Sequence, residues 1–499
     1  MKKIFSVSIF ENLNKIFNIV FASVFALILL NILFNKEVYS YNTLIMLLLI
    51  SVFITLIALF GYWFYKNEEV LQRHFSKIAL ATALFLFAVQ MLILPLLRFD
   101  PIFDLEAIYR GAIEMAEGRS FAVYRSNTCH TDYFYIFPNN LGSMTFLAAI
   151  FKIAGVFGIK DYFAIASVVN SLMSVTTMLL TAHIAKRFFN VAGGLTVLLI
   201  FLLSPPFYFL APVFYTDSLS LVFPAAAFTA FLNAEEKDRI AHKLLWYAVC
   251  ALMCSLGALI KMTVLIFAVA AAIYLVLNKK WKDIALFGII TVAVTAILFA
   301  TFNAWIYSKE LSKDKAEQMN TPIYYWIDLA FHGNGGYNNN IYQLSRNEPD
   351  PELRKEILKE DIKNAIGELG VGGIYELFEN KSARTFGDGT YALSDFLDDR
   401  PVNSTSLHEA ITYNGKHYVV YSVITTAVFL AVQILMIISS IMKQRDKRIL
   451  IAHLSVFGIM LFLLLWEVDS RYITNFIPFI FISAAGGLCG GIKNKAKTK

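Results

Sequence analysis

The stretch "PNNLGSMTFLAAIFKIAGV", residues 138–156, can be read in two ways, and the choice sets the path of the whole chain. It is apolar enough to cross a bilayer, yet it holds Lys152 and opens with Pro138-Asn139-Asn140. The surrounding composition makes a membrane the right frame. Of 499 residues, 58% are hydrophobic and 16% charged, against roughly 25% charged in soluble domains. Apolar runs of about 20 residues predict transmembrane helices. They fall near 17–35, 42–65, 78–97, 162–184, 191–210, 215–232, 244–259, 262–278, 284–306, 417–441, 449–466 and 472–491. No small-residue cleavage site follows the first run, so it reads as a retained span.

Basic loops decide between the two readings, because Lys and Arg collect on the cytoplasmic side. Six clusters qualify: Lys66, Arg73 and Lys77; Lys186 and Arg187; Lys237, Arg239 and Lys243; Lys279, Lys280 and Lys282; Lys443, Arg445, Lys447 and Arg448; and the tail "KNKAKTK". All can face the cytoplasm only if the chain crosses an odd number of times between residues 98 and 185. A spanning 138–156 makes two crossings and breaks the rule. A helix lying in the outer leaflet restores it. The expected fold is therefore an all-α polytopic membrane protein of about twelve spans with both termini inside. Its parts are two N-terminal spans in 1–77, a core in 78–306 with a first external loop at 98–161, an external region 307–416, and C-terminal spans with a basic tail in 417–499. The net charge of +6 fits this loop pattern and not a nucleic-acid footprint. The four cysteines, Cys129, Cys250, Cys254 and Cys489, lack metal-ligand spacing with histidines and suggest neither zinc nor a disulfide framework.

Charged residues beside the spans supply the candidate site. "RFDPIFDLEAIYRGAIEMAEG", 98–118, places Asp100, Asp104, Glu106 and Glu114 against an apolar run. Residues 105–117 fit a short helix, with Asp104 at the N-cap and Gly118 as the stop. Asp104 is then either a cap or a base that takes a proton from an incoming nucleophile. In "LLLWEVDSRYITNFIPFI", 463–480, Glu467 and Arg471 are four apart, which suggests a helix-end ion pair or a phosphate-binding guanidinium. Asp217 in "SPPFYFLAPVFYTDSLSL", 204–221, reads as an N-cap or a binding group. Lys261 in "GALIKMTVLI" can snorkel or neutralise a phosphate. The aromatics of "TDYFYIFPNNLGSM", 131–144, suit a headgroup belt or a sugar-stacking face. "RTFGDGTY", 384–391, is a Gly-rich turn around Asp388 that lacks the Lys-Ser/Thr of a P-loop. The basic loops alone put Asp104, Asp217, Lys261, Glu467 and Arg471 on one external face.

Over roughly 78–480 this set of motifs resembles the GT-C superfamily of membrane glycosyltransferases, in particular the bacterial family-39-like branch related to protein O-mannosyltransferases and aminoarabinose transferases. The resemblance is carried by "FDLEAIYRGAIEMAEG", "YFYIFPNNLGS", "YTDSLSL", "IKMTVLI", "RTFGDGTY" and "EVDSRYITNFIP", in that order. It implies transfer of a sugar from a polyprenyl-phosphate donor to an envelope glycopolymer, lipid or protein acceptor, at the extracytoplasmic face of the cell membrane, with inversion. It implies Asp104 as the base, with Asp100 as its rival. Arg471 and Tyr472 would stand at the donor phosphate with Lys261 assisting, Glu467 would orient Arg471, and Asp217 and Asp388 would support. Where relatives carry an acid pair or a His-Pro-Pro or Lys-Pro-Pro motif, this chain has Phe137-Pro138-Asn139-Asn140. Some members use a divalent cation, which stays open as a cofactor here; one acid without a neighbouring ligand set argues mildly against it. A transporter of lipid-linked sugars and a non-enzymatic subunit of envelope assembly are the competing classes.

Overall fold

The computed structural model describes residues 2–35, 41–122, 132–398 and 400–490. Cys129 and the basic tail lie outside the described residues. Helices make up almost all of the fold, and among the described residues extended pairing is limited to an isolated bridge between Phe99 and Pro401. Among the described residues, nine helices are long and apolar enough to cross a membrane. They sort by environment. Trp281–Lys309 turns nearly all of its surface outward, whereas Ser470–Cys489 is enclosed by its neighbours. An apolar helix that keeps its apolar surface exposed needs lipid around it, since water would make that exposure costly.

The expected twelve spans are reconciled with these nine through three features. Helix Tyr162–Leu203 runs for 42 residues, about 63 Å at the usual rise and twice the hydrocarbon thickness. It breaks at Phe189 and Asn190, where Asn190 takes φ +60°. The chain then doubles back: Asn170 Nδ2 donates to the carbonyls of Leu210 (2.8 Å), Ala211 (3.3 Å) and Val213 (3.0 Å). Two further apolar helices, Met262–Leu277 and Ile449–Leu464, are shorter. The region expected to span 191–210 stops being regular helix at Leu203, ahead of Pro205-Pro206.

The basic loops do converge. Arg187 pairs with Glu236 at 2.8 Å, and Arg448 pairs with the same acid at 2.9 Å. Lys243 meets Asp283 at 2.9 Å, and Lys280 meets Glu235. A cavity of about 460 Å³ at this end is lined by Glu68, Arg187, Asp446 and Arg448 among others.

Helix Leu141–Val156 has both ends at the opposite end of the bundle. Gly142 packs on the end of Ile240–Ile260 so closely that a Cβ would stand 1.8 Å from the Leu259 carbonyl oxygen. Its other end leads through Gly158 to Tyr162, the first residue of the next span, whose hydroxyl donates to Glu117 at 3.2 Å. The far ends of those two spans meet in the basic cluster. A helix whose two ends lie beside the same face of the bundle does not run from that face to the other. Ile153, Val156 and Phe157 stay exposed along its edge beside Lys152 and Lys160, the pattern of an interfacial helix.

The region 307–416 is a helical cap. Tyr325, Leu329, Ile341 and Leu358 form a small core, and Ala330, Phe331, Ala365 and Leu377 form another. Lys381 fastens this cap to the segment before the last span. Its Nζ is buried and donates to the carbonyls of Ala330 (3.1 Å), Leu464 (2.8 Å) and Trp466 (2.9 Å). Trp326 stacks on Trp466 at 5.6 Å, and the amides of Glu467 and Val468 donate to Trp326 and Gly335.

Candidate functional site

Helix Phe103–Ala116 buries Leu105, Ile108 and Ala112, and Gly118 at φ +75° follows its end. Asp104 is not its cap. The N-cap position falls on Ile102, with no side-chain capping bond, and Asp104 sits within the first turn. Its carboxylate reaches across the fold instead: Oδ2 accepts from the Tyr215 hydroxyl at 3.0 Å. Asp100 points elsewhere. It pairs with Arg110 at 2.9 Å and Arg400 at 3.9 Å, and its amide bonds the Arg400 carbonyl.

Asp217 is likewise no cap. Helix Thr216–Leu219 starts after Tyr215, whose amide donates to Ser218 Oγ. The Asp217 carboxylate, 5% exposed, accepts from Lys261 Nζ and stands 3.5 Å from Arg471 Nη1. Lys261 therefore does not snorkel. It follows the helix Ile240–Ile260 in extended conformation and turns inward onto Asp217, with its ammonium 4.2 Å from the centre of the Tyr472 ring. Arg471 is held at Nε by Asp469 (2.8 Å) and lies among the rings of Tyr215, Phe396 and Tyr472, 4.9–5.6 Å from their centres. Glu467 does not take the expected contact with Arg471. Its Oε2 accepts from the Tyr472 hydroxyl at 3.0 Å, and burial pushes its carboxyl upward against the pull of Arg471. Asp388 closes its own turn through Thr390 and Ala392 and accepts from Ser470 Oγ at 2.6 Å, one residue before Arg471.

The chain interrupts regular α-helix beside Asp217, at Lys261 and at Arg471, and one side chain ties these breaks together. Asn475 Nδ2 lies 3.3 Å from both Ser220 Oγ and Thr263 Oγ1. Non-helical backbone at membrane depth is tolerated where protein encloses it or it lines a wet cavity, because its polar groups otherwise go unpaired. Three interrupted spans meeting at one place are thus a costly arrangement for bilayer packing alone. The result is one constellation of Asp104, Asp217, Lys261, Glu467, Arg471 and Tyr472, with Asp388 on its edge and Asp100 outside it. Asp469, Tyr215 and Phe396 belong to it and escape a reading of the sequence alone. Asp469, two residues before a cation in "EVDSRY", is the legible signal among them.

The donor set here does not suit a metal. Asp217 and Asp469 already face cations. Among the described residues, three ligating atoms come within 4.8 Å of one another at Asp328, His332 and Asp361, away from this constellation.

Bundle and site together define an α-helical polytopic membrane protein with a cluster of charged side chains at the end opposite its basic loops. The chain belongs to the family described as "conserved hypothetical integral membrane protein", whose model matches residues 5–487. No curated protein matches it. Among solved structures it is similar to ArnT from Cupriavidus metallidurans bound to undecaprenyl phosphate, at 13% identity and TM-score 0.37, over 83% of this chain and 78% of that one. The apo state of the same protein gives 13% identity and TM-score 0.33, over 83% and 77%.

Proposed function

We propose that the chain is a GT-C-type glycosyltransferase that moves a sugar from a polyprenyl-phosphate donor to an envelope acceptor at the extracytoplasmic face. The observation that carries this reading is the Tyr215 bridge. It sets a carboxylate, Asp104, beside two enclosed cations, Lys261 and Arg471. Transfer from a lipid phosphate asks for these two things together. The acceptor hydroxyl attacks the anomeric carbon and gives its proton to Asp104. The bond from that carbon to the phosphate oxygen breaks, and the departing phosphate takes the electron pair. Arg471 and Lys261 stabilise the charge that develops there. Arg471 is well placed for this role. Asp469 fixes its Nε, while the long Asp217 contact leaves Nη1 open to competition from a phosphate. The Asp104 side chain is half-buried, so an acceptor can reach it from outside. No metal enters this scheme.

The test uses purified protein in liposomes with polyprenyl-phosphate sugars and envelope-derived acceptors. The expected result is release of free polyprenyl phosphate together with labelled acceptor. Donor that crosses the bilayer intact, with no release, would instead identify a transporter. The side of the site has its own check. Ile159→Cys, made with Cys129→Ser, should react in intact cells with an impermeant thiol reagent. Ile159 is 43% exposed, while Cys250, Cys254 and Cys489 are buried. Labelling only after the membrane is opened would place the site inside.

A further inference from the structure

Asp328, His332 and Asp361 stand apart from the proposed transfer site and form a group that transfer does not use. Asp328 lies within helix Ile323–Phe331, His332 directly follows it, and Asp361 comes from helix Pro351–Gly387. The imidazole Nε2 is 3.1 Å from Asp328 Oδ1 and 3.0 Å from Asp361 Oδ2. The second Asp328 oxygen, on the same carboxylate, is buried without any hydrogen-bond partner, and the residue is 0% exposed.

With both acids ionised, hydrogen bonding leaves this group unbalanced. Two carboxylates carry two negative charges, and one ring nitrogen carries at most one proton toward them. Among the described residues the ion pairs of both acids run to His332, with no Lys or Arg. A buried carboxylate oxygen left without a partner is expensive. The geometry suits another occupant. Atoms bound to one metal at about 2.0–2.2 Å lie roughly 3.0–3.5 Å from each other, and both imidazole–carboxylate separations fall in this range.

We infer that Asp328, His332 and Asp361 bind a first-row divalent cation, and that the ion clips the two cap helices together. One imidazole nitrogen with two carboxylate oxygens suits Zn²⁺ or Mn²⁺ better than Ca²⁺, which prefers an all-oxygen shell of six to eight ligands. The two positive charges balance the two acids, the unpartnered Asp328 oxygen gains a role, and water can complete the shell on the half-exposed Asp361 side. The clip has consequences for the transfer site. Helix Ile323–Phe331 is the one that stacks Trp326 on Trp466 and accepts the Glu467 amide, so it supports the segment leading to Asp469 and Arg471.

The test uses the full chain in detergent, stripped by a chelator and titrated calorimetrically with ZnCl₂, MnCl₂ and CaCl₂, with thermal unfolding followed in parallel. The expected outcome is one saturable Zn²⁺ or Mn²⁺ equivalent per chain, no comparable Ca²⁺ signal, and a rise in Tm that the chelator reverses. Asp361→Asn and His332→Gln should abolish both the binding and the Tm rise. Asp361→Asn is the safer probe, since its side chain is partly exposed and changes little in shape. Absence of saturable binding to the wild type, or binding that survives both substitutions, would overturn the inference. So would a cluster whose stability follows pH alone and ignores added metal. Metal binding and unfolding are read without a transfer assay, so failure of the metal site and failure of the transfer reading are distinguishable.

Discussion

Asp104→Asn should fold, insert and lose sugar transfer by about 10²–10⁴-fold, the usual worth of a positioned general base. The substitution preserves shape, and the amide oxygen can still accept from Tyr215, so the bridge to the Arg471 side survives. What disappears is the ability to take a proton from the acceptor. Asp100→Asn is the internal comparison. Asp100 pairs with Arg110 and Arg400 at a half-exposed position, where ion pairs are worth about 0–1 kcal/mol, so this variant should transfer at nearly the wild-type rate. Initial rates with one donor, alongside size-exclusion profiles of each variant, decide the matter. A fully active Asp104→Asn with an inactive Asp100→Asn would hand the role to Asp100.

Asp217→Asn should have the largest effect on stability, about 3–5 kcal/mol, because it removes one partner of a buried ion pair and leaves the other charged. Asp217 is nearly sealed from solvent and serves both Lys261 and Arg471. Arg471 keeps Asp469, so the orphaned charge is chiefly that of Lys261. Burial already pulls the Lys261 ammonium below its ordinary pKa, with Asp217 as the main opposing influence. Adding Lys261→Met to Asp217→Asn should therefore recover much of the loss, since the double variant buries no unpaired ammonium. Unfolding in detergent of the wild type, both single variants and the double variant measures the coupling. A double variant that is destabilised by the simple sum of the single effects would mean the two side chains are independent.

Different features are legible at different ranges. Spans, their order and the separate short helix at 141–156 follow from hydropathy and its interruptions. The helix expected at 105–117 lies within two residues of Phe103–Ala116, because its apolar spacing and Gly118 are local signals. The errors have one cause. Capping rules claim Asp104 and Asp217, and helix spacing gives Glu467 to Arg471, and all of these look only three or four residues along the chain. In the structure Asp104 meets Tyr215, 111 residues away, and Arg471 approaches Asp217, 254 residues away. The Lys381 clamp and the Asp328–His332–Asp361 group are invisible for the same reason. The first joins a helix to carbonyls more than 80 residues on, and the second needs two cap helices side by side.

The sequence by itself determined that this protein lives in a membrane, where its apolar helices fall, and that five charged residues belong together. Those properties depend on apolar length and on where Lys and Arg fall, and both are written locally. Only the tertiary structure decided which charge answers which. Away from water a cation takes the nearest anion that the packed helices present, whatever its distance along the chain, because an unpaired charge there costs more than any local cap can return.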